Sequence, residues 1–251
     1  MKIQWIGGAT VFMQLNNFTI VCDPVLCKKD TIQDYRYFKS MRMNDPVFDE
    51  EIIKKIDLLL ITHFHLDHFD DIAKGVVHSD ITLVNEYQDG INTNKQIVLQ
   101  NNETYTETLK DIKIIVTAIA ATHGKNKIFG NLVGKNIGYL IKLENNNKKY
   151  VIYITGDDVF KKQKRQLVGI HIDLLIVNAG AATVGNGLLG KFLGRITNNE
   201  KDLIKLNKVY KPNYILPVHF GTFSHYQEKY YVKESIGNNV MVLSPGESIE
   251  I

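Results

Sequence analysis

A chain of 251 residues, 44% hydrophobic and 23% charged, is long enough to bury a core without disulfides and has the composition of a globular protein. Its formal charge of +3 is small for this length and comes with no dense Lys/Arg stripe, which argues against nucleic acid as a partner. No apolar run approaches the roughly 18 residues of a membrane helix, and the two cysteines, Cys22 and Cys27, sit in neither a C-x-x-C nor a zinc-finger pair.

Residues 1 to 7 lack the apolar h-region of a signal peptide and read as a strand. Reduced thiols and a cytoplasmic location are therefore expected. Lys2 to Ile6, Thr10 to Leu15 and Phe18 to Cys22 read as strands. Gly7-Gly8 separates the first two, and Asn16-Asn17 marks a hairpin between the next pair. The third run ends in Asp23-Pro24. The proline biases Asp23 toward an extended conformation, which suits either a carboxylate held at a strand end or a plain strand stop. Residues 28 to 50 are polar and irregular, a surface loop that carries Tyr35, Tyr37 and Phe38. A short helix is expected over Asp49 to Lys55, its acidic residues near the N-terminus.

The apolar run Leu58-Leu59-Leu60-Ile61 reads as a buried strand over 57–61. His63-Phe64-His65-Leu66-Asp67-His68 follows directly, then a helix from about Asp70 to Lys74. Further strands are expected at Ile81 to Val84, Ile97 to Leu99 and Ile112 to Ala120, the last ending at Thr122-His123-Gly124. The rest of 88–111 reads as polar connection. Gly138 to Leu143 and Lys149 to Ile154 form a hairpin ending at Thr155-Gly156-Asp157-Asp158. A helix over 159–168, a strand over Ile172 to Val177 and a glycine-rich loop over 180–197 follow. A helix capped by Thr197 or Asn198 runs to Tyr210, and a strand over Tyr214 to Leu216 leads to Pro217-Val218-His219-Phe220-Gly221. A helix near 225–234 and strands at Val240 to Leu243 and Glu247 to Ile251 complete the chain. With no linker in view, the expectation is a single α/β domain over 1–251, two mixed sheets packed together with helices outside.

His63 and His65 are two apart on extended chain and point to the same side. Asp67 and His68 lie where the chain turns toward a helix and aim at a second position. Such a stretch suits two metals about 3.5–4 Å apart, as in two-metal hydrolytic sites. Four ligands are too few for two metals. The remaining candidates are polar residues at strand ends: His123, Asp157 and His219. A carboxylate such as Asp157 can bridge two cations. The donors are nitrogen and oxygen, which suits Zn²⁺, with Mn²⁺ or Fe as alternatives, and argues against Cu(I).

The ordered set Asp23, His63-x-His65-x-Asp67-His68, His123, Asp157 and His219 resembles the metallo-β-lactamase superfamily, αββα sandwiches of dinuclear metallohydrolases. Gly7-Gly8-Ala9-Thr10, Asp23-Pro24-Val25, Thr122-His123-Gly124, Gly156-Asp157 and Pro217 to Phe223 resemble one branch of it. That branch includes L-ascorbate-6-phosphate lactonase and the N-acylphosphatidylethanolamine-hydrolysing phospholipase D. The resemblance implies His63, His65 and His123 on one metal, Asp67, His68 and His219 on the other, and Asp157 bridging. It makes Asp23 a carboxylate that orients the loop without binding metal.

Two cations lower the pKa of a bound water, so a metal-bound hydroxide attacking an ester, lactone or phosphodiester is the expected chemistry. Asp67 is also a candidate to orient the water and accept its proton. His225 is the candidate general acid, against the alternative of a surface helix cap. Lys125, Lys127, Lys191 and Arg195 are candidates for a substrate phosphate, and the alternative for each is a solvated side chain. Leu188, Leu189, Phe192 and Leu193 make loop 180–197 apolar, which suits a lid, a lipid-facing patch or a subunit contact in a homo-oligomer. The expected partner is a small-molecule or lipid substrate. A nuclease or nucleotide phosphodiesterase with the same metal core, and a non-enzymatic metal-binding or sensor protein, are the alternatives.

Overall fold

The computed structural model describes residues 1–35, 38–124, 134–145, 148–183 and 194–251. They form two compact units. The first comprises Met1–Gln100, Thr222–Ser224 and Leu243–Ile251; the second comprises Asn101–Gly221 and His225–Val242.

In the first unit, β1 (Lys2–Gly7), β2 (Thr10–Leu15) and β3 (Phe18–Cys22) form an antiparallel meander. Asn16 makes the tight turn with φ +54°. Two short strands, β4 (Ile32–Asp34) and β5 (Lys39–Met41), pair within the loop that sequence marks as irregular. Helix α1 (Glu50–Ile53), β6 (Ile56–Leu60), helix α2 (Asp71–Val76), β7 (Ser79–Val84) and β8 (Thr93–Val98) follow. With β15 (Ser248–Glu250) at one edge, the sheet order is β15-β1-β2-β3-β6-β7-β8.

Strands β3, β6, β7 and β8 are parallel neighbours, and Cys22 faces Leu60 in register. The chain therefore leaves two adjacent strands side by side, at Asp23 and at Ile61. Every residue of β6 is buried. Its one polar member, Asp57, accepts hydrogen bonds from the Thr19 amide (2.7 Å) and hydroxyl (3.0 Å), so no charge is stranded in the core. Ile56, Leu59, Ile61, Phe69, Ala73 and Val84 belong to one apolar cluster. Each large aliphatic side chain buried there contributes about 1.5–3 kcal/mol. Gly7 and Gly8 both have positive φ, and a Cβ at either would come within 3.0 Å of the Arg42 guanidinium. Arg42 is itself fully buried and lies 5.0 Å over the Phe223 ring.

In the second unit, β9 (Thr104–Leu109), β10 (Ile112–Ala120), β11 (Ile137–Asn145), β12 (Lys148–Ile154), β13 (Leu174–Asn178) and β14 (Tyr214–Val218) form a sheet of order β14-β13-β12-β11-β10-β9. Strands β12, β13 and β14 are parallel and the others antiparallel. Strand β9 falls in a stretch that reads as connection. Its Thr-Tyr-Thr-Glu-Thr-Leu sequence alternates exposed with half-buried residues and carries no fully buried side chain.

Helix α3 (Glu200–Tyr210) is capped by Asn199, whose side chain accepts from the Asp202 amide. The expected caps, Thr197 and Asn198, serve other segments: Thr197 Oγ1 accepts from Ala182 N, and Asn198 Oδ1 accepts from Phe160 N. The helix expected over 159–168 is reduced to a 3-10 turn, Arg165–Leu167. Backbone amides it would need are taken elsewhere, Phe160 by Asn198 and Lys164 by the Tyr210 hydroxyl. The helix expected near 225–234 shrinks to α4 (Lys233–Ile236), because Glu228 N bonds the Gly180 carbonyl instead. Of the expected strand Val240 to Leu243, an isolated bridge remains, Val240 opposite Ile215 with the Met241 amide on the Ile215 carbonyl.

Candidate metal centre

In the first unit the donors sit at the end of β6. Asp23, beyond the neighbouring β3, organises them. Its backbone is not extended: φ is +46°. The Asp23 amide bonds the Leu60 carbonyl (2.9 Å), and its own carbonyl accepts from Thr10 Oγ1 (2.9 Å). These two bonds override the bias set by Pro24, and aspartate is one of the few residues that tolerates the left-handed region. Thr10 Oγ1 also accepts from Val25 N (2.9 Å), which explains the threonine of Gly-Gly-Ala-Thr.

The buried Asp23 carboxylate takes Thr62 N on Oδ1 (2.7 Å) and Thr62 Oγ1 on Oδ2 (2.7 Å). Oδ2 also faces His68 Nδ1 at 2.8 Å. An acceptor on Nδ1 favours the tautomer in which Nε2 is the candidate ligand atom. Thr62 Oγ1 lies 3.0 Å from His63 Nδ1 and so steadies the first histidine too. His63 Nε2 and His65 Nδ1 approach to 3.0 Å, two ring nitrogens converging on one point. His68 and Phe69 amides both bond the His65 carbonyl (2.8 and 2.9 Å), which makes the turn that presents Asp67 and His68. Ligand atoms of Asp67 and His68 lie within 4.8 Å of each other.

Asp70 ends this turn and caps α2 through the Ala73 amide (2.7 Å). It also accepts from the amides of Leu26 (2.8 Å) and Cys27 (2.6 Å), tying the segment after β3 to the helix start. Burial, followed by the Asp70 charge, pushes the Cys27 thiol up to about 12. A thiol that holds its proton is a poor metal ligand, consistent with a nitrogen and oxygen donor set.

In the second unit His123, Asp157 and His219 follow β10, β12 and β14. All three are at most 1% exposed. His123 Nε2 and Asp157 Oδ2 stand 3.9 Å apart. The other carboxylate oxygen, Oδ1, accepts from Asn178 Nδ2 (3.0 Å), and the Asp157 carbonyl accepts from Asn136 Nδ2 (2.6 Å). Gly156, with φ +59°, permits the turn, and a Cβ there would lie 2.5 Å from the Ile137 carbonyl oxygen. Asp158 Oδ1 accepts from Thr122 N (2.8 Å), and its Oδ2 meets Lys164 Nζ at 2.7 Å. Burial pushes the Asp158 carboxyl upward, and Lys164 opposes that shift.

His219 has φ +78°, a strained position for a residue other than glycine. The hydroxyl of the fully buried Tyr226 lies 3.0 Å from its Nε2, with ring centroids 4.5 Å apart. His225 is buried against Tyr226, ring centroids 4.4 Å apart, and is not a surface helix cap. Arg195 NH1 donates to Asp202 Oδ2 (2.8 Å) at the start of α3. Lys125, Lys127, Lys191, Tyr37 and most of loop 180–197 lie outside the described residues. Thr62, Asn178 and Asp158 carry no motif signal beyond the apolar runs before them, and no run precedes Tyr226.

A family model for the beta-lactamase superfamily domain matches residues 2–219. The UPF0173 protein YddR of Bacillus subtilis is 25% identical over 260 residues, covering 99% of each chain. A UPF0173 metal-dependent hydrolase of Methanopyrus kandleri is 25% identical over 260 residues, covering 100% of each. Among solved structures, a possible metal-dependent hydrolase from Veillonella parvula matches with a TM-score of 0.80 at 21% identity, over 100% of this chain and 99% of that one. The isothiocyanate hydrolase from Delia radicum gut bacteria matches with a TM-score of 0.76 at 22% identity, over 100% and 99%. What these structures share with this chain is the metallo-β-lactamase fold with its mixed sheets.

Proposed function

We propose, for a chain that belongs to the beta-lactamase superfamily and is a metal-dependent hydrolase, a dinuclear centre that cleaves an ester, lactone or phosphodiester bond of a small-molecule or lipid substrate. His63, His65 and His123 would hold one cation, Asp67, His68 and His219 the other, with Asp157 available to both. The donor chemistry fits: five imidazoles and two carboxylates, all buried except the half-buried His65, suit Zn²⁺ first and Mn²⁺ or Fe next. When bound, the cations would supply a lowered pKa for a water molecule and charge stabilisation for a developing oxyanion.

The observation that carries this reading is the hydrogen-bonded support behind the donors. Asp23 orients His68, Thr62 steadies His63, and Asn178 holds Asp157. Metal-ligating histidines and carboxylates are typically backed in this way. Asp67 accepts a proton as well as binding, and His225 donates one to the leaving group. The local phrases Gly7 to Thr10 and Pro217 to Phe223 favour the lactonase and phospholipase D branch.

Metal-quantified protein reconstituted with Zn²⁺ or Mn²⁺ is tested against phosphodiester, phosphomonoester, lactone, thioester and lactam substrates. An isothiocyanate joins the panel because a neighbour in fold hydrolyses one. The expected result is about two equivalents of tightly bound metal and turnover of at least one class, both reduced in His68→Ala. Fewer than one equivalent overturns the dinuclear centre.

A further inference from the structure

Strands β10 and β12, which carry His123 and Asp157 at their ends, are not neighbours: β11 lies between them. Two interstrand spacings put them about 9–10 Å apart, and no ladder bond joins their ends. Yet His123 Nε2 and Asp157 Oδ2 approach to 3.9 Å. Among the described residues, the Asp158–Lys164 ion pair also ties the two strand ends together. Asp158, next to Asp157, accepts from the amide of Thr122, next to His123 (2.8 Å). Its other oxygen meets Lys164 Nζ (2.7 Å), and the same ammonium donates to the carbonyl of Ala120, the last residue of β10 (2.9 Å). The segment 120–122 is therefore gripped at both ends from residues 158 and 164. The side chains are 8% and 21% exposed, so solvent screens the pair only weakly.

We propose that Asp158 and Lys164 are positioning residues that set the distance between His123 and Asp157 and thereby the affinity for a divalent cation. The proposal rests on His123 and Asp157 being ligands, as proposed above. A pair that merely stabilises the fold would act on unfolding alone. A positioning pair acts on the cation as well, and residues behind metal ligands typically govern affinity by 10–100-fold.

The test measures Zn²⁺ affinity by chelator competition and the Co²⁺ absorption spectrum, alongside thermal unfolding of metal-free protein. K164M is expected to weaken Zn²⁺ by 10–100-fold and to shift the Co²⁺ bands, while K164R restores most of both. The double variant D158N/K164M leaves no unpaired buried charge and so guards against a folding failure. It is expected to bind no more weakly than K164M, since both substitutions break one link. Wild-type affinity and spectrum in K164M or the double variant, with only the unfolding temperature changed, overturns the proposal. H123A separates the two readings: if H123A binds Zn²⁺ as the wild type does, it is the ligand assignment that fails.

Discussion

Both carboxylate oxygens of Asp23 are taken by the residues around the first histidines, Thr62 and His68. Removing the carboxylate takes the acceptor from the buried Thr62 amide and the anionic partner from the His68 ring. Asp23→Ala is therefore expected to lower Zn²⁺ affinity by about 10–100-fold and to destabilise metal-free protein by about 1–3 kcal/mol. Chelator competition and urea unfolding measure the two effects separately. Unchanged affinity would show that His68 is not oriented through Asp23. At this scale the candidate donors are legible in the sequence, because a histidine or aspartate after an apolar run is a demanding pattern. The residues behind them are not. Thr62 and Asn178 are ordinary strand-end residues until the fold brings a carboxylate to each.

Strand ends decide where every donor sits, and glycines decide how the chain turns there. Gly156 combines φ +59° with a Cβ position 2.5 Å from a backbone carbonyl oxygen, and that oxygen belongs to the neighbouring strand β11. Gly156→Ala is expected to cost about 2 kcal/mol or more, read as a lowered urea midpoint, and to displace the adjacent Asp157. A variant as stable as the wild type would mean that β11 gives way without cost. The buried strands β6, β13 and β14 announce themselves as apolar runs. The helices expected over 159–168 and 225–234 do not form at those lengths. Their helical pattern is local, and the amides of Phe160, Lys164 and Glu228 find partners elsewhere in the fold.

Each of the two units carries one set of candidate donors: His63, His65, Asp67 and His68 in the first, His123, Asp157 and His219 in the second. Among the described residues no helix is long and apolar enough to cross a membrane. A cation that binds only the folded chain raises its stability by RT ln(1 + [L]/Kd), about 2.7 kcal/mol at a hundredfold excess over Kd. Metal removal is therefore expected to lower the unfolding temperature by several degrees, and added Zn²⁺ to restore it in a concentration-dependent way. Scanning fluorimetry with and without chelator checks this, and superimposable curves would argue that no cation binds tightly.

By itself the sequence determined the candidate donors, their order along the chain, the strands that precede them and the α/β class. These are local properties: hydrophobic period, turn residues, and side chains whose chemistry admits few roles. The tertiary structure alone decided which buried partners stand behind those donors. It turned Asp23 into the left-handed region against the bias of its proline, and drew Lys164 and Asp158 into one clamp on Ala120 and Thr122. The physical reason is separation along the chain. Thr62 lies 39 residues from Asp23, and Lys164 lies 44 from Ala120. Hydrogen bonds over such distances follow from strand order, which no local pattern encodes.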